Sequence, residues 1–318
     1  MALLPTRAEI DDAAALLARY FPPSRLLRVG PVPDSAAELW LKLEQELPTG
    51  SFKVRGALVA LHAAVQRGTA AGGVVAASTG NHGAAVAWAA RTLGVPATIF
   101  LPCSPNQVKR GRIMEHGARI VETGSGIAEA RRAAAAFAAA SGAFVLDDAT
   151  DPHLPAGPAT IGREILADLP AAASVVVPVG DTALIRGVAS ALKAERPDIR
   201  VVGVQAATAN AYERAWRTGT ARATRACATI ADGLATRVPD PANVRAIRAV
   251  VDDMVTVTDA GMLCAMRRLL RTARVLAEPA AAASVAALAR LDVAGPAVAL
   301  ITGANVPPAV LALLLEGP

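Results

Sequence analysis

Pro48-Thr49-Gly50-Ser51-Phe52-Lys53-Val54-Arg55-Gly56-Ala57 follows the alternating stretch Leu39-Trp40-Leu41-Lys42-Leu43-Glu44. The period of two predicts a strand, Pro48 and Gly50 break it, and Gly56-Ala57 open a helical run. Lys53 is therefore expected where an extended segment meets a helix. It is one of only four lysines, with Lys42, Lys109 and Lys193, in a chain rich in arginine. A lysine in an apolar, turn-rich pocket loses its proton by desolvation and becomes an amine nucleophile. Taken alone, a lysine at a helix start is more often simply solvated. The rest of the chain weighs against that.

With 318 residues the chain can bury a large core as one big domain or two moderate ones. It is 53% hydrophobic but only 3% aromatic, with alanine filling much of the apolar share. The longest apolar stretches, 133–140 and 279–289, are too short or too weakly apolar to span a bilayer. The N-terminus lacks a basic stretch followed by an apolar core, so a soluble cytoplasmic protein is expected. The net charge of +5 comes from scattered arginines without interleaved aromatics, which argues against a nucleic-acid partner. Cys103, Cys227 and Cys264 have no metal-ligand spacing and suggest a reducing compartment.

Strand and helix patterns alternate from residue 73 onward, as in α/β proteins. Strands are expected at 73–77, 97–101, 118–121, 144–146, 174–179, 201–204, 255–257 and 297–302. Helices are expected at 9–18, 55–67, 81–93, 107–116, 127–140, 159–169, 183–194, 209–216, 259–273 and 279–291. The Asp-, Pro- and Gly-rich loop 147–158 is the clearest boundary, and 222–239 is broken and polar.

Two strand-to-helix junctions carry candidate chemistry. Ser78-Thr79-Gly80-Asn81-His82-Gly83 offers helix-start N–H groups, two hydroxyls and an amide to a carboxylate, although a plain N-cap reads the same way. Val177-Pro178-Val179-Gly180-Asp181-Thr182-Ala183-Leu184 places unsatisfied N–H groups and the positive end of a helix dipole where an anion would sit.

Ser51-Phe52-Lys53-Val54-Arg55-Gly56-Ala57, with these two motifs in order, resembles the pyridoxal-phosphate enzymes of fold type II over nearly the whole chain. The serine/threonine dehydratase and serine racemase branch is the part it is most similar to. The resemblance implies an α/β protein of two domains, each an open twisted sheet flanked by helices. The large cofactor-binding domain would be 1–65 with 147–318, the small one 66–146, and the cofactor would lie in the cleft between. A homodimer is also implied.

By the same resemblance Lys53, beside Phe52, would carry pyridoxal 5'-phosphate as a Schiff base and then serve as general base. Ser78, Thr79, Gly80, Asn81 and His82 would bind the substrate's α-carboxylate, with Asn81 near the cofactor's phenolic oxygen. Thr79 aligns with the serine that is the second acid/base of serine racemases. Gly180, Asp181, Thr182, Ala183 and Leu184 would hold the phosphate. The family has a glycine run there and this chain keeps only Gly180, so close backbone approach becomes harder. Asp181 is expected to point outward or cap the helix, since an anion there opposes a bound phosphate. Thr302, in Ala299-Leu300-Ile301-Thr302-Gly303-Ala304-Asn305-Val306, would meet the pyridine nitrogen.

Glu278-Pro279-Ala280-Ala281-Ala282 resembles a segment packed near the cofactor ring, and Ala231-Asp232-Gly233-Leu234 one at the active-site mouth. A helix-start charge and a turn former fit Glu278 and Asp232 equally well. The cation site of some relatives is expected to be absent, because Gln205 and Ala211 stand at its acidic positions. His82, His116 and His153 have no metal-binding spacing and are expected to be satisfied surface or cap residues. The chain's end at Pro318 is expected to leave no room for the C-terminal regulatory module of some biosynthetic threonine dehydratases.

The implied reaction is dehydration of a small β-hydroxy amino acid such as L-threonine or L-serine to a 2-oxo acid and ammonia. Racemisation, β-replacement with a thiol, a larger or charged β-hydroxy substrate, and a catalytically weak ligand-binding homologue stay open.

Overall fold

Val-rich and Ala-rich runs with no polar face form the centre of a parallel sheet, and their burial shows why they are strands. β7 (Ser174–Pro178) and β10 (Ala297–Ile301) are buried at every position. With β1 (Leu26–Pro31), β2 (Glu38–Leu43), β8 (Arg200–Ala206) and β9 (Asp253–Val257) they make a six-stranded sheet of order β1-β2-β10-β7-β8-β9. All neighbours are parallel except β1 and β2. A second, four-stranded parallel sheet has the order β5-β4-β3-β6, from β3 (Val74–Ala77), β4 (Ala97–Leu101), β5 (Arg119–Glu122) and β6 (Phe144–Val145). This computed structural model describes residues 3–32, 37–78, 80–103 and 107–316, without the side chains of Gln107 and Lys109.

Helices cover both sheets, giving the two open twisted sheets that the resemblance implied. α1 (Arg7–Leu17) starts on a capping box in which Thr6 and Glu9 satisfy each other's backbone N–H. α2 (Lys53–Gln66) packs on α3 (Asn81–Leu93) and on α6 (Ala156–Asp168). α4 (Gln107–Glu115) lies against α3, while α5 (Ile127–Ser141) covers the smaller sheet through Ala130, Ala134 and Ala138. α7 (Ala183–Glu195) follows β7, α8 (Ala211–Thr218) follows β8, and α10 (Asp259–Arg268) follows β9. α11 (Pro279–Leu288) packs on α10 and β7.

Three expectations change. The helix read as 259–273 ends at Arg268, and a single π turn, Leu269–Ala273, closes on Arg274 at a φ of 54°. The helix expected from 159 begins at Ala156, because Pro158 falls in its first turn, where its missing N–H has no role. α9 (Pro241–Val250) and α12 (Pro308–Leu315) were not anticipated. Asp240 caps α9 by accepting from the N–H groups of Ala242 and Asn243, and Pro241 occupies the first position. Among the described residues no helix is long and apolar enough to cross a membrane.

Candidate active site

Lys53 opens α2, and the turn before it is tied to the segment after β10. Thr49 and Gly50 both take positive φ, 68° and 69°. Ser51 then bridges to Gly303, Phe52 N–H donates to the Thr302 carbonyl at 3.0 Å, and Ala304 N–H donates to the Gly50 carbonyl at 3.0 Å. The far side of that first helical turn is fixed by Arg55, which is fully buried and donates to both oxygens of Glu44 and both of Glu164 at 2.6–3.0 Å. Lys42 pairs with Glu164 at 2.7 Å, so two cations and two anions share the buried site. Neutrality and full hydrogen bonding are the conditions under which buried charges persist.

Lys53 Nζ donates to Asp148 Oδ2 at 2.6 Å. Burial pushes the ammonium down, but Asp148, with Asp181 and Asp147 behind it, outweighs burial and leaves the Lys53 pKa raised. Desolvation acts as expected from sequence, but the acidic neighbours reverse its net result. Burial likewise pushes the Asp148 carboxyl up, yet Lys53, His82 and Arg131 hold it well below the usual carboxylate range. Asp148 is the site residue that sequence reasoning missed. Its signal was its place in the Asp147-Asp148 pair that closes β6 and opens the boundary loop.

Gly180 leads into the first turn of α7, and a Cβ there would stand 2.4 Å from the Gly233 carbonyl oxygen. Only glycine fits that approach, and it brings the Asp232–Leu234 turn beside the loop. The N–H groups of Asp181, Thr182, Ala183 and Leu184 have no hydrogen bond among the described residues. Thr182 holds a φ of 73°, conformational space that favours glycine. Asp181 neither points outward nor caps α7. Its Oδ1 accepts from Thr236 Oγ1 at 3.1 Å and its Oδ2 lies 3.9 Å from Arg131. Burial and the Asp148 charge push its carboxyl up, against Lys53 and Arg131, which pull it down.

At the start of α3, Ser78 Oγ accepts from Gly80 N–H at 3.1 Å and Gly80 is the N-cap. Asn81 is held at both ends: its Nδ2 donates to Glu278 Oε1 and its Oδ1 accepts from Asn305 Nδ2, each at 2.7 Å. Asn305 also donates to the Thr49 carbonyl at 2.9 Å, joining this loop to the lysine turn. Glu278 occupies the N-cap position of α11, but its side chain serves Asn81 instead of capping. His82 is buried, where a surface or helix-cap position was expected. Its Nε2 meets the Leu146 carbonyl at 3.0 Å, and its Nδ1 has no partner among the described residues.

Thr302 is buried, and its hydroxyl likewise has no hydrogen bond there. Gln205 braces β7 to α8, donating to the Val179 carbonyl and accepting from Glu213 N–H. Thr79 lies outside the described residues. Lys53, Ser78, Gly80 to His82, Gly180 to Leu184 and Thr302 lie on loops after strands or on the helix starts those loops feed, and Glu278, which follows the π turn, joins them by donating its N–H to the Gly303 carbonyl at 2.9 Å. That is where open α/β sheets bind ligands.

A family model described as "Pyridoxal-phosphate dependent enzyme" matches residues 21–303. The L-threonine ammonia-lyase of Thermotoga maritima is 39% identical over 274 residues, 86% of this chain and 68% of that one. A solved T.th. threonine deaminase superposes with a TM-score of 0.87 at 31% identity, covering 95% of this chain and 98% of that one. The structure of maize serine racemase gives a TM-score of 0.88 at 26% identity, covering 97% and 96%.

Proposed function

The chain belongs to the pyridoxal-phosphate-dependent enzymes of fold type II, and from that premise we propose that it dehydrates a small β-hydroxy amino acid. L-threonine and L-serine are the default substrates, and the products are a 2-oxo acid and ammonia. The observation that carries this reading is one amine, Lys53 Nζ, set at a helix start close enough to Asp181 to feel its charge, where Asp181 to Leu184 present N–H groups with no hydrogen bond among the described residues.

The residues present fit the cofactor. Lys53 would hold it covalently, the N–H groups of Asp181 to Leu184 would bind its phosphate, and the Thr302 hydroxyl suits its ring nitrogen. Phe52 and Glu278 would flank it, and the second N–H of Asn81 is left for its phenolic oxygen. Asp181 opposes the phosphate, and its bond from Thr236 and the nearby Arg131 offset part of that opposition. When bound, the cofactor supplies the sink for the electron pair left on the substrate's α carbon.

Ser78, Gly80, Asn81 and His82 hold the substrate carboxylate against the start of α3, which fixes the α proton relative to Lys53. Lys53 Nζ accepts that proton once its amine is neutral. Asp148 decides when that happens, because its charge holds the ammonium proton in place. The β hydroxyl leaves as water, and the resulting enamine tautomerises and hydrolyses. The similarity to maize serine racemase keeps racemisation as a second reading, with Thr79 as the acid/base on the opposite face. Domain limits of 66–146 for the smaller unit, a homodimer and a cytoplasmic location complete the proposal.

The test is absorbance before and after borohydride, then 2-oxo acid release from a panel of β-hydroxy amino acids. A reducible visible band that Lys53→Ala abolishes, with product from threonine or serine, is the expected result. A band without product turns the reading to racemisation or replacement. No band with added cofactor leaves a ligand-binding homologue.

A further inference from the structure

Arg186 sits one turn into α7 and is completely buried. Its Nε donates to Thr182 Oγ1 at 3.2 Å, its Nη1 to the Leu3 carbonyl at 3.0 Å and its Nη2 to the Ala149 carbonyl at 3.1 Å. All three acceptors are neutral. No carboxylate forms an ion pair with it among the described residues, although Asp181 and Asp240 act on it from further away. Burial accordingly depresses its pKa.

Two physical rules oppose a guanidinium in this place. A buried charge without a counter-ion is strongly unfavourable. A cation in the first turn of a helix also opposes the helix dipole. An anion on the N–H groups of Asp181 to Leu184 would relieve both conflicts at once.

Thr182 links the two features. Its oxygen accepts from Arg186, so its single hydroxyl hydrogen is left to donate, and no acceptor among the described residues takes it. We propose that Arg186 is a positioning residue for anion binding by this loop. It replaces the lost glycines with a buried positive charge and, through Thr182, with one aimed hydroxyl. The anion is the phosphate group of the cofactor, so the inference rests on the cofactor reading above.

The experiment compares wild type with Arg186→Met and Thr182→Val in two measurements. One is the cofactor Kd by absorbance titration; the other is the Tm of the cofactor-free protein with and without inorganic phosphate. Wild type is expected to bind cofactor and to gain Tm from phosphate. In Arg186→Met the Kd should rise roughly ten- to a hundredfold, as for a lost hydrogen bond to a charged group. Its Tm without phosphate should hold or rise, since a buried charge is gone, and the gain from phosphate should disappear.

A fall in Tm with unchanged Kd would make Arg186 a brace between Leu3, Thr182 and Ala149 and overturn the proposal. Should Arg186→Met not fold, Thr182→Val decides: weaker cofactor binding upholds the relay, and an unchanged Kd refutes it. A wild type that ignores the cofactor yet gains Tm from phosphate through Arg186 would defeat the proposed function and leave the anion site standing.

Discussion

At the scale of single residues, the pairing of Lys53 with Asp148 governs how the site responds to pH. Asp148 is held below its unfolded value, so its contribution is present above about pH 4 and lost as pH falls through the folded value. Lys53 is raised, so its contribution is complete below about pH 10 and lost as pH rises through the folded value. Asp148→Asn should therefore lower the stability of the cofactor-free protein at neutral pH by about 2 kcal/mol. The difference from wild type should shrink towards both extremes, which a series of Tm measurements across pH would reveal. A constant offset would mean that the contact is not an ion pair in solution.

At the scale of elements, the crossing of α2 and α6 sets where Lys53 stands. A Cβ on Gly157 would lie 2.4 Å from both the carbonyl carbon and the oxygen of Arg55, backbone atoms that cannot yield. Gly157→Ala should destabilise by roughly 1–3 kcal/mol, as overpacking does, and weaken cofactor binding in parallel because α2 carries the lysine. Gly111→Ala in α4 is the control, with nothing within 4 Å of the added carbon. It should be neutral or gain up to about 1 kcal/mol from helix propensity. Equal Tm values for the two variants would refute the crossing argument.

At the scale of the molecule, one apolar cluster joins the smaller sheet to helices of the larger unit. Leu16 and Leu17 of α1, Leu58 and Leu61 of α2, Val74 and Ile99 of the smaller sheet, and Ala183 of α7 belong to one buried cluster. One face of the smaller sheet thus shares this cluster, while Val75 and Phe100 on its other face pack with Ala130, Ala134 and Ala138 of α5 in a cluster of their own. Calorimetry of the cofactor-free protein should give a single transition. Two resolved transitions would show that the cluster does not couple the sheets.

The order of strands and helices was legible in the chain because alternation, helical spacing and the Pro and Gly breaks are local signals. Leu39 to Leu43, Asn81 to Leu93 and Ala97 to Leu101 needed nothing beyond their own neighbourhoods. The junction that places Lys53 at a helix start, and the resemblance of its surroundings, came from sequence in the same way. α9 was legible too, through Asp240-Pro241, and was missed only because the segment before it is irregular. What the tertiary structure alone decided is the electrostatics. Lys53 and Asp148 are 95 positions apart, and no periodicity announces that the chain will bring them to 2.6 Å. The inward turn of Asp181, the burial of His82 and the placing of Arg186 among neutral acceptors share that origin. Each depends on which loops meet in space, and Coulomb energies follow distance and burial rather than sequence spacing.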